Sequence, residues 1–174
     1  MADQIEIDVW QGEIADLEVD AIVVPANESL FMTSALAAAV KRRAGVAVEE
    51  QAVAQGPVPA GSAIVTAGGA LAATFVIHAV AVGHDLRPDR TRLEAAIRAA
   101  LDAAETLGVR HLAMALLGSD RGVFAPADSA TSIAAEVARH EGAASSLESI
   151  VLTVHSAHDA ATVQAALRAR AEAR

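Results

Sequence analysis

Val19-Asp20-Ala21-Ile22-Val23-Val24-Pro25-Ala26-Asn27 decides the reading of this chain. An acidic residue opens a run rich in β-branched apolar side chains, and the run stops abruptly at Pro-Ala-Asn. Such a run reads as a buried strand, and the abrupt stop reads as a strand that ends at a site.

The flanking sequence surrounds this strand with alternating elements. Ile5, Ile7 and Val9 alternate with polar residues, the period of a first strand, and Gly12 to Leu17 suits a short turn or helix start. Ser34 to Gly45 reads as a helix: Ser34 caps it, Leu36 and Val40 share a face, and Gly45 ends it. Val46 to Gln55 is a second helical stretch, stopped by Gly56-Pro57. Ala63 to Thr66 and Thr74 to Val82 read as strands around a Gly68-Gly69 turn. The spacing predicts a helix over Arg92 to Leu107, with Thr91 and Glu94 as a capping box and Gly108 closing the end. Val109 to Leu117 and Ile150 to Val154 read as strands, with a helix opened by Pro126 between them and a last helix capped by Ser156. This order predicts an α/β fold, a three-layer α/β/α sandwich with a mixed, largely parallel sheet, in one domain over residues 1–174.

Composition narrows the chemistry. The chain is 53% hydrophobic and only 2% aromatic, so its core is built from Ala, Val, Leu and Ile. Net charge is −9 and Lys41 is the only lysine, which disfavours general nucleic-acid or anionic-membrane binding. A phosphate ligand would have to be held by backbone N–H groups and helix ends. There is no cysteine, hence no disulfide, thiol nucleophile or thiolate metal site. No apolar run suits a membrane span and the N-terminus is not a signal peptide, so a cytoplasmic location is expected. His155-x-x-His158-Asp159 lacks further convincing ligands, and no metal and no cofactor is expected. The phosphate-loop, GxGxxG and GxSxG signatures are all missing.

In open α/β sheets, ligands bind beyond the carboxyl ends of strands. Two such ends here carry long loops into helices, Pro25 to Ala35 and Leu117 to Pro126. The central strand with its Asn27 resembles the VDAIVNAAN segment of the macrodomain, an ADP-ribose-binding α/β family. Upstream, Gly12-Glu13-Ile14 resembles that family's Gly-Asp-Ile. The second loop, bracketed by Gly118 and Gly122, resembles its diphosphate loop, written like GTGxxGxP or STGVFGYP. The resemblance runs roughly from Ile5 to Leu167.

The resemblance implies a ligand site made of Glu13 and Ile14, of Asn27, of Thr33, Ser34, Ala35 and Leu36, of Gly118 to Phe124, and of His155. Within the second loop these are Gly118, Ser119, Asp120, Arg121, Gly122, Val123 and Phe124. Glu13 stands where an aspartate accepts from the adenine 6-amino group, Asn27 where an amide binds the distal ribose, and His155 where an aromatic ring stacks on adenine. Each residue also has a plainer reading. Asn27 suits an αL or Asx turn, Glu13 a helix N-terminus, Asp120–Arg121 a solvated pair, His155 an exposed strand end, and His78 a buried, hydrogen-bonded core histidine.

The chain departs from the family where LGGGGVDGAI becomes Leu30-Phe31-Met32-Thr33-Ser34-Ala35-Leu36-Ala37-Ala38-Ala39-Val40. Cβ atoms at Thr33, Ser34 and Ala35 restrict close backbone approach, although the two hydroxyls can replace some donors. Ala37 stands where a hydrolytic branch carries its catalytic aspartate. Asn27 and Asp120 are the remaining catalytic candidates, Asp120 as a general base. Three functions follow as expectations: a reader of ADP-ribose or a related nucleotide diphosphate, partnered by ADP-ribose or an ADP-ribosylated protein; a hydrolase of ADP-ribosyl esters or O-acetyl-ADP-ribose; or a divergent interaction module that no longer binds ADP-ribose.

Overall fold

The computed structural model describes residues 4–141 and 145–173. Among them six strands form one sheet: β1 (Glu6–Gln11), β2 (Ala21–Pro25), β3 (Ala63–Ala67), β4 (Phe75–Ala79), β5 (His111–Ala115) and β6 (Ser149–Val154). The helices are α1 (Ala35–Ala44), α2 (Val46–Val53), α3 (Arg90–Thr106), α4 (Pro126–His140) and α5 (Ala157–Glu172). The strand order is β1-β6-β5-β2-β4-β3. Every neighbouring pair is parallel except the β3–β4 pair, whose strands follow one another directly in the chain.

The decisive stretch is β2, buried at every position. Its side chains alternate between two apolar layers. Ala21 and Val23 pack with Leu93, Ile97 and Leu101 of α3 and with Ile133 and Val137 of α4. Ile22 and Val24 pack with Val40 of α1 and Val48 of α2 on the opposite face. The sheet therefore lies between helical layers, the three-layer α/β/α arrangement with a mixed, largely parallel sheet. Ala96, Ala100 and Ala104 are buried along α3, filling that layer without bulky rings.

Local signals place most helix ends. Ser34 accepts from the Ala37 N–H at 3.2 Å and starts α1, and Gly45, at φ 104°, separates α1 from α2. Ser156 accepts from the Asp159 N–H at 3.0 Å and starts α5. The capping box at α3 is corrected. Asp89 is the N-cap, accepting from the Arg92 N–H at 3.2 Å, so Thr91 lies inside the first turn and Glu94 faces Arg90 at 3.8 Å. A carboxylate two residues earlier satisfies the same orphan donor and adds a favourable charge at the positive helix end.

At the amino end of the sheet, Asp20 ties three strands together. Its carboxylate accepts from the Arg110 and His111 N–H groups at 2.9 and 2.8 Å, where β5 begins. Its carbonyl accepts from Thr74 and Phe75, at the start of β4. The hydrogen bond from His111, seconded by that from Arg110, outweighs burial and holds the Asp20 carboxyl below the ordinary carboxylate value.

Candidate functional site

The carboxyl ends of β2, β5 and β6 open on one cleft. The chain leaves β2 at Pro25, and Ala26 still donates to the Ala79 carbonyl at 2.9 Å. Asn27 then starts a tight turn in which its carbonyl accepts from the Leu30 N–H at 3.0 Å. The left-handed conformation in this turn falls on Leu30, at φ 65°, and not on Asn27. Asn27 is 9% exposed. Its Nδ2 donates to the Phe31 carbonyl at 2.8 Å and to Thr33 Oγ1 at 3.4 Å. Its Oδ1 is buried and has no partner among the described residues. The amide thus spends its donor on the loop and keeps an acceptor at the cleft wall.

The rest of this loop is fastened from outside. Glu49 of α2 accepts the Met32 N–H at 2.7 Å and the Lys41 ammonium at 3.1 Å on the same oxygen. Burial pushes the Glu49 carboxyl up, but these two hydrogen bonds outweigh it and leave it below its ordinary value. The chain's only lysine is therefore engaged as a brace. Thr33 Oγ1 accepts from Asn27 and Ser34 Oγ accepts from Ala37 as the cap of α1, so each hydroxyl is fixed in place by a bond it accepts while its O–H remains a donor. Ala37 and Ala38 direct their N–H groups to Ser34, which leaves those of Ala35 and Leu36 at the helix start without an intrahelical acceptor.

The second loop is a self-closed turn. Gly118, at φ 79°, accepts from Val123 and Phe124 at 3.1 and 3.0 Å. A Cβ on Gly118 would lie 2.5 Å from Phe124 Cδ2, so packing and backbone both require glycine here. Ser119 donates to Leu116, and Gly122 donates to Ser119. The amides of Ser119, Gly122, Val123 and Phe124 are thus spent within the loop, a departure from the expectation that this whole stretch offers donors outward. The loop is anchored below by Ser129 of α4, whose buried hydroxyl donates to the Leu117 carbonyl at 2.9 Å.

Between the loops lie two compartments. The inner one is lined by Asn27, Phe31, Ser34, Ala37, Gly118, Asp120 and Arg121, and leaves ≈ 10 Å³ for the centre of a water-sized sphere. That is about the room one water needs. The outer one, between Leu36, Ser119, Asp120 and His155, offers ≈ 170 Å³ by the same measure. Asp120 lines both. At the outer rim, His155 Nδ1 stands 3.8 Å from Glu13 Oε1, with both side chains more than half exposed. Ile14, next to Glu13, turns its side chain into the core and is 2% exposed.

Asp120 is electrostatically out of balance. Desolvation by the surrounding loop pushes its carboxyl above the ordinary value. The Arg121 charge and the backbone N–H groups of Asp120 and Arg121 pull the other way and lose. Asp120 and Arg121 are both exposed, so the solvated-pair reading stands beside the ligand-site reading.

His78 lies away from the cleft. It is buried, hydrogen-bonds Thr66 Oγ1 through Nε2 at 2.9 Å, and is pushed by desolvation down to about 4. Sequence reasoning missed Phe31, Ala81 and Val82 as cleft walls. Phe31 was legible as a large apolar residue in a polar turn, and its ring is 51% exposed at the cleft mouth. Ala81 and Val82 read as strand, but β4 ends at Ala79 and the chain leaves the sheet over the cleft. Among the described residues no cluster of three or more His, Asp or Glu side chains is placed to hold a metal ion, and no helix is long and apolar enough to cross a membrane.

Comparison with known proteins agrees with this geometry. A family model described as Macro domain matches residues 23–134. An uncharacterised protein of Aeropyrum pernix is 35% identical over 140 residues, covering 80% of this chain and 70% of its own length. An uncharacterised protein of Mycobacterium tuberculosis is 33% identical over 151 residues, covering 87% of this chain but 42% of its own length. This chain thus spans less than half of that mycobacterial relative. Among solved structures, a Trypanosoma brucei macrodomain in complex with ADP-ribose superposes with a TM-score of 0.85 at 20% identity, covering 93% of this chain and 69% of that one. An Oceanobacillus iheyensis macrodomain variant with ADPR superposes with a TM-score of 0.84 at 20% identity, covering 94% and 92%. The family match, the strand order and the loops at the carboxyl edge lead to one assignment: the chain belongs to the Macro domain family.

Proposed function

We propose that this chain is one macrodomain module that binds ADP-ribose, or a related nucleotide diphosphate, as a reader of mono-ADP-ribosylated protein. The observation that carries the reading is Asn27, which lines the cleft between two loops and whose buried Oδ1 has no partner among the described residues. A ribose hydroxyl would supply the missing donor. Glu13 and His155 sit together at the far end, where an adenine edge and face would meet a carboxylate and an imidazole. The ligand class draws support from the solved macrodomains with ADP-ribose.

A hydrolytic reading has one observation in its favour. Asp120 shares the inner compartment with Asn27, whereas Ala37 brings no carboxylate. An ionised Asp120 would take a proton from the water that attacks an ADP-ribosyl ester. Titration calorimetry with ADP-ribose tests the binding reading, and its expected result is saturable one-to-one binding. Absence of binding over the pH range in which the protein is folded would overturn it in favour of an interaction module. Release of ADP-ribose from a modified protein, measured on the unaltered chain, separates reader from hydrolase.

A further inference from the structure

We propose that Asp120 is a built-in negative gate: its carboxylate occupies the passage between the two compartments and sets this cleft's affinity for the charged linker of a nucleotide diphosphate. This inference rests on the ADP-ribose reading and says what controls it.

The geometry is specific. A ligand whose one end meets Asn27 and whose other end meets Glu13 and His155 must cross the boundary between the compartments, and Asp120 is the charged side chain that lines both. The walls of that boundary are otherwise suited to an anion. On one side the N–H groups of Ala35 and Leu36 open the first turn of α1. On the other, the N–H groups of Asp120 and Arg121 are second-loop amides with no backbone acceptor among the described residues. The Asp120 carboxylate, exposed on the same loop and lining both compartments, puts a like charge beside the donors that a phosphate oxygen would take. The inner compartment, with ≈ 10 Å³ left, is correspondingly tight.

The charges facing this point are few. Arg121 on the same loop is the nearest cation. Glu13 after β1 and His155 after β6 stand at the outer rim. The first turn of α1 and the wall at Ala81 and Val82 carry no titratable side chain, and Asp128 lies in the first turn of α4. A second negative charge brought beside Asp120 raises its proton affinity further, so diphosphate binding and protonation of Asp120 favour each other. The gate opens as pH falls.

Calorimetry of ADP-ribose against the unaltered chain, Asp120→Asn and Asp120→Ala, from pH 8 to pH 5, tests this, with adenosine as the uncharged probe. Asp120→Asn keeps size and removes charge. It should bind ADP-ribose tighter by about tenfold or more at pH 8, as expected for removing a like charge at close range. The gap should narrow as pH falls, and adenosine affinity should stay the same in all three proteins. Only the difference between the three curves is read. If Asp120→Asn binds no tighter than the unaltered chain, or if only Asp120→Ala binds tighter, the gate is steric or does not exist and the inference is overturned. If none of the three binds ADP-ribose while all melt normally, the ADP-ribose reading itself fails and takes the gate with it.

Discussion

Asp20 and Asp120 are the same residue at opposite ends of one sheet, and their surroundings could hardly differ more. Asp20, at the amino end, receives two backbone N–H groups at 2.9 and 2.8 Å and is held below its ordinary pKa. Asp120, at the carboxyl end, is exposed at the cleft, and desolvation by the surrounding loop pushes its carboxyl above the ordinary value against the pull of Arg121. The contrast extends to their neighbours. Near Asp20, Glu148 accepts from Arg110 Nε at 2.7 Å, and Glu105 gathers Ser145, Ser146 and His140, whose hydrogen bonds outweigh its desolvation and hold it at about 2. Near Asp120, Asn27 Oδ1 is left without a partner. One end of the sheet closes its polar accounts and fixes the strands. The other leaves the Asn27 acceptor without a partner among the described residues, and a buried polar group left unpaired costs stability that a ligand donor would restore.

The largest effect should come from breaking the satisfied end. Asp20→Ala removes two charge-assisted hydrogen bonds and leaves the Arg110 and His111 donors to water. We expect a loss of about 2–3 kcal/mol in urea unfolding, with ADP-ribose affinity unchanged wherever the variant is folded. A stability within experimental error of the unaltered chain would mean that the strand starts are held without Asp20, and the contrast between the ends would lose its stabilising half.

Next is His78, which is structural yet buried like a functional group. Its folded pKa, about 4, lies below the unfolded 6.5. The unfolded chain therefore binds a proton that the folded chain refuses, and stability falls as pH drops from 6.5 toward about 4. From pH 7 to pH 5 the loss should be about 2 kcal/mol. His78→Gln should flatten that slope. The carboxylates held low, Asp20 and Glu105, act in the same direction only at lower pH, as it falls through their depressed values. An equal slope in His78→Gln would place the titrating group elsewhere.

Asn27→Ala tests the unsatisfied end. It deletes a donor that braces the loop at Phe31 and an acceptor that has no partner. The two should separate: about 1 kcal/mol of ADP-ribose affinity is lost, while the melting temperature moves little because no buried carbonyl loses its only backbone support. A large loss of stability with unchanged affinity would make Asn27 a brace alone.

The satisfied end and the sheet were largely legible in the sequence, and the unsatisfied end only in part. β2 reads as a strand because Ala21 to Val24 has a place in both apolar layers, and burial of that kind leaves a pattern along the chain. Ser34, Gly45, Pro126 and Ser156 announce helix ends because capping is local chemistry. Asp89 was overlooked because Thr91 and Glu94 offered an equally good local pattern two residues on. The cleft is different. The meeting of Glu13 with His155 joins residues far apart in sequence, and only the β1–β6 pairing brings them together. Which second-loop amides point outward depends on the positive φ at Gly118 and Gly122, and that orientation leaves no trace in composition. Asp120 reads as half of a surface pair because Arg121 adjoins it in sequence, and only the fold shows that it also lines both compartments of the cleft.

The smallest effect belongs to the rim, where the two ends of the comparison blur. Glu13 and His155 are near the ligand end of the sheet, yet both are wet and 3.8 Å apart. An exposed pair of this kind gives up most of its Coulomb attraction to water, so Glu13→Ala should change stability by less than about 0.5 kcal/mol. On binding, Glu13 would exchange one solvated contact for a hydrogen bond to an adenine amino group, a gain of about 0.5–1 kcal/mol, and adenosine affinity should fall accordingly in Glu13→Ala. His155→Ala should cost a similar amount through lost stacking area. The two losses should add, because neither side chain holds the other in place. Strong non-additivity in the double variant, or a loss of affinity several times larger, would show that the rim closes over adenine. Open, unsatisfied groups would then extend from Asn27 through Asp120 to the edge of the sheet, and the whole carboxyl face would be one site waiting on its ligand.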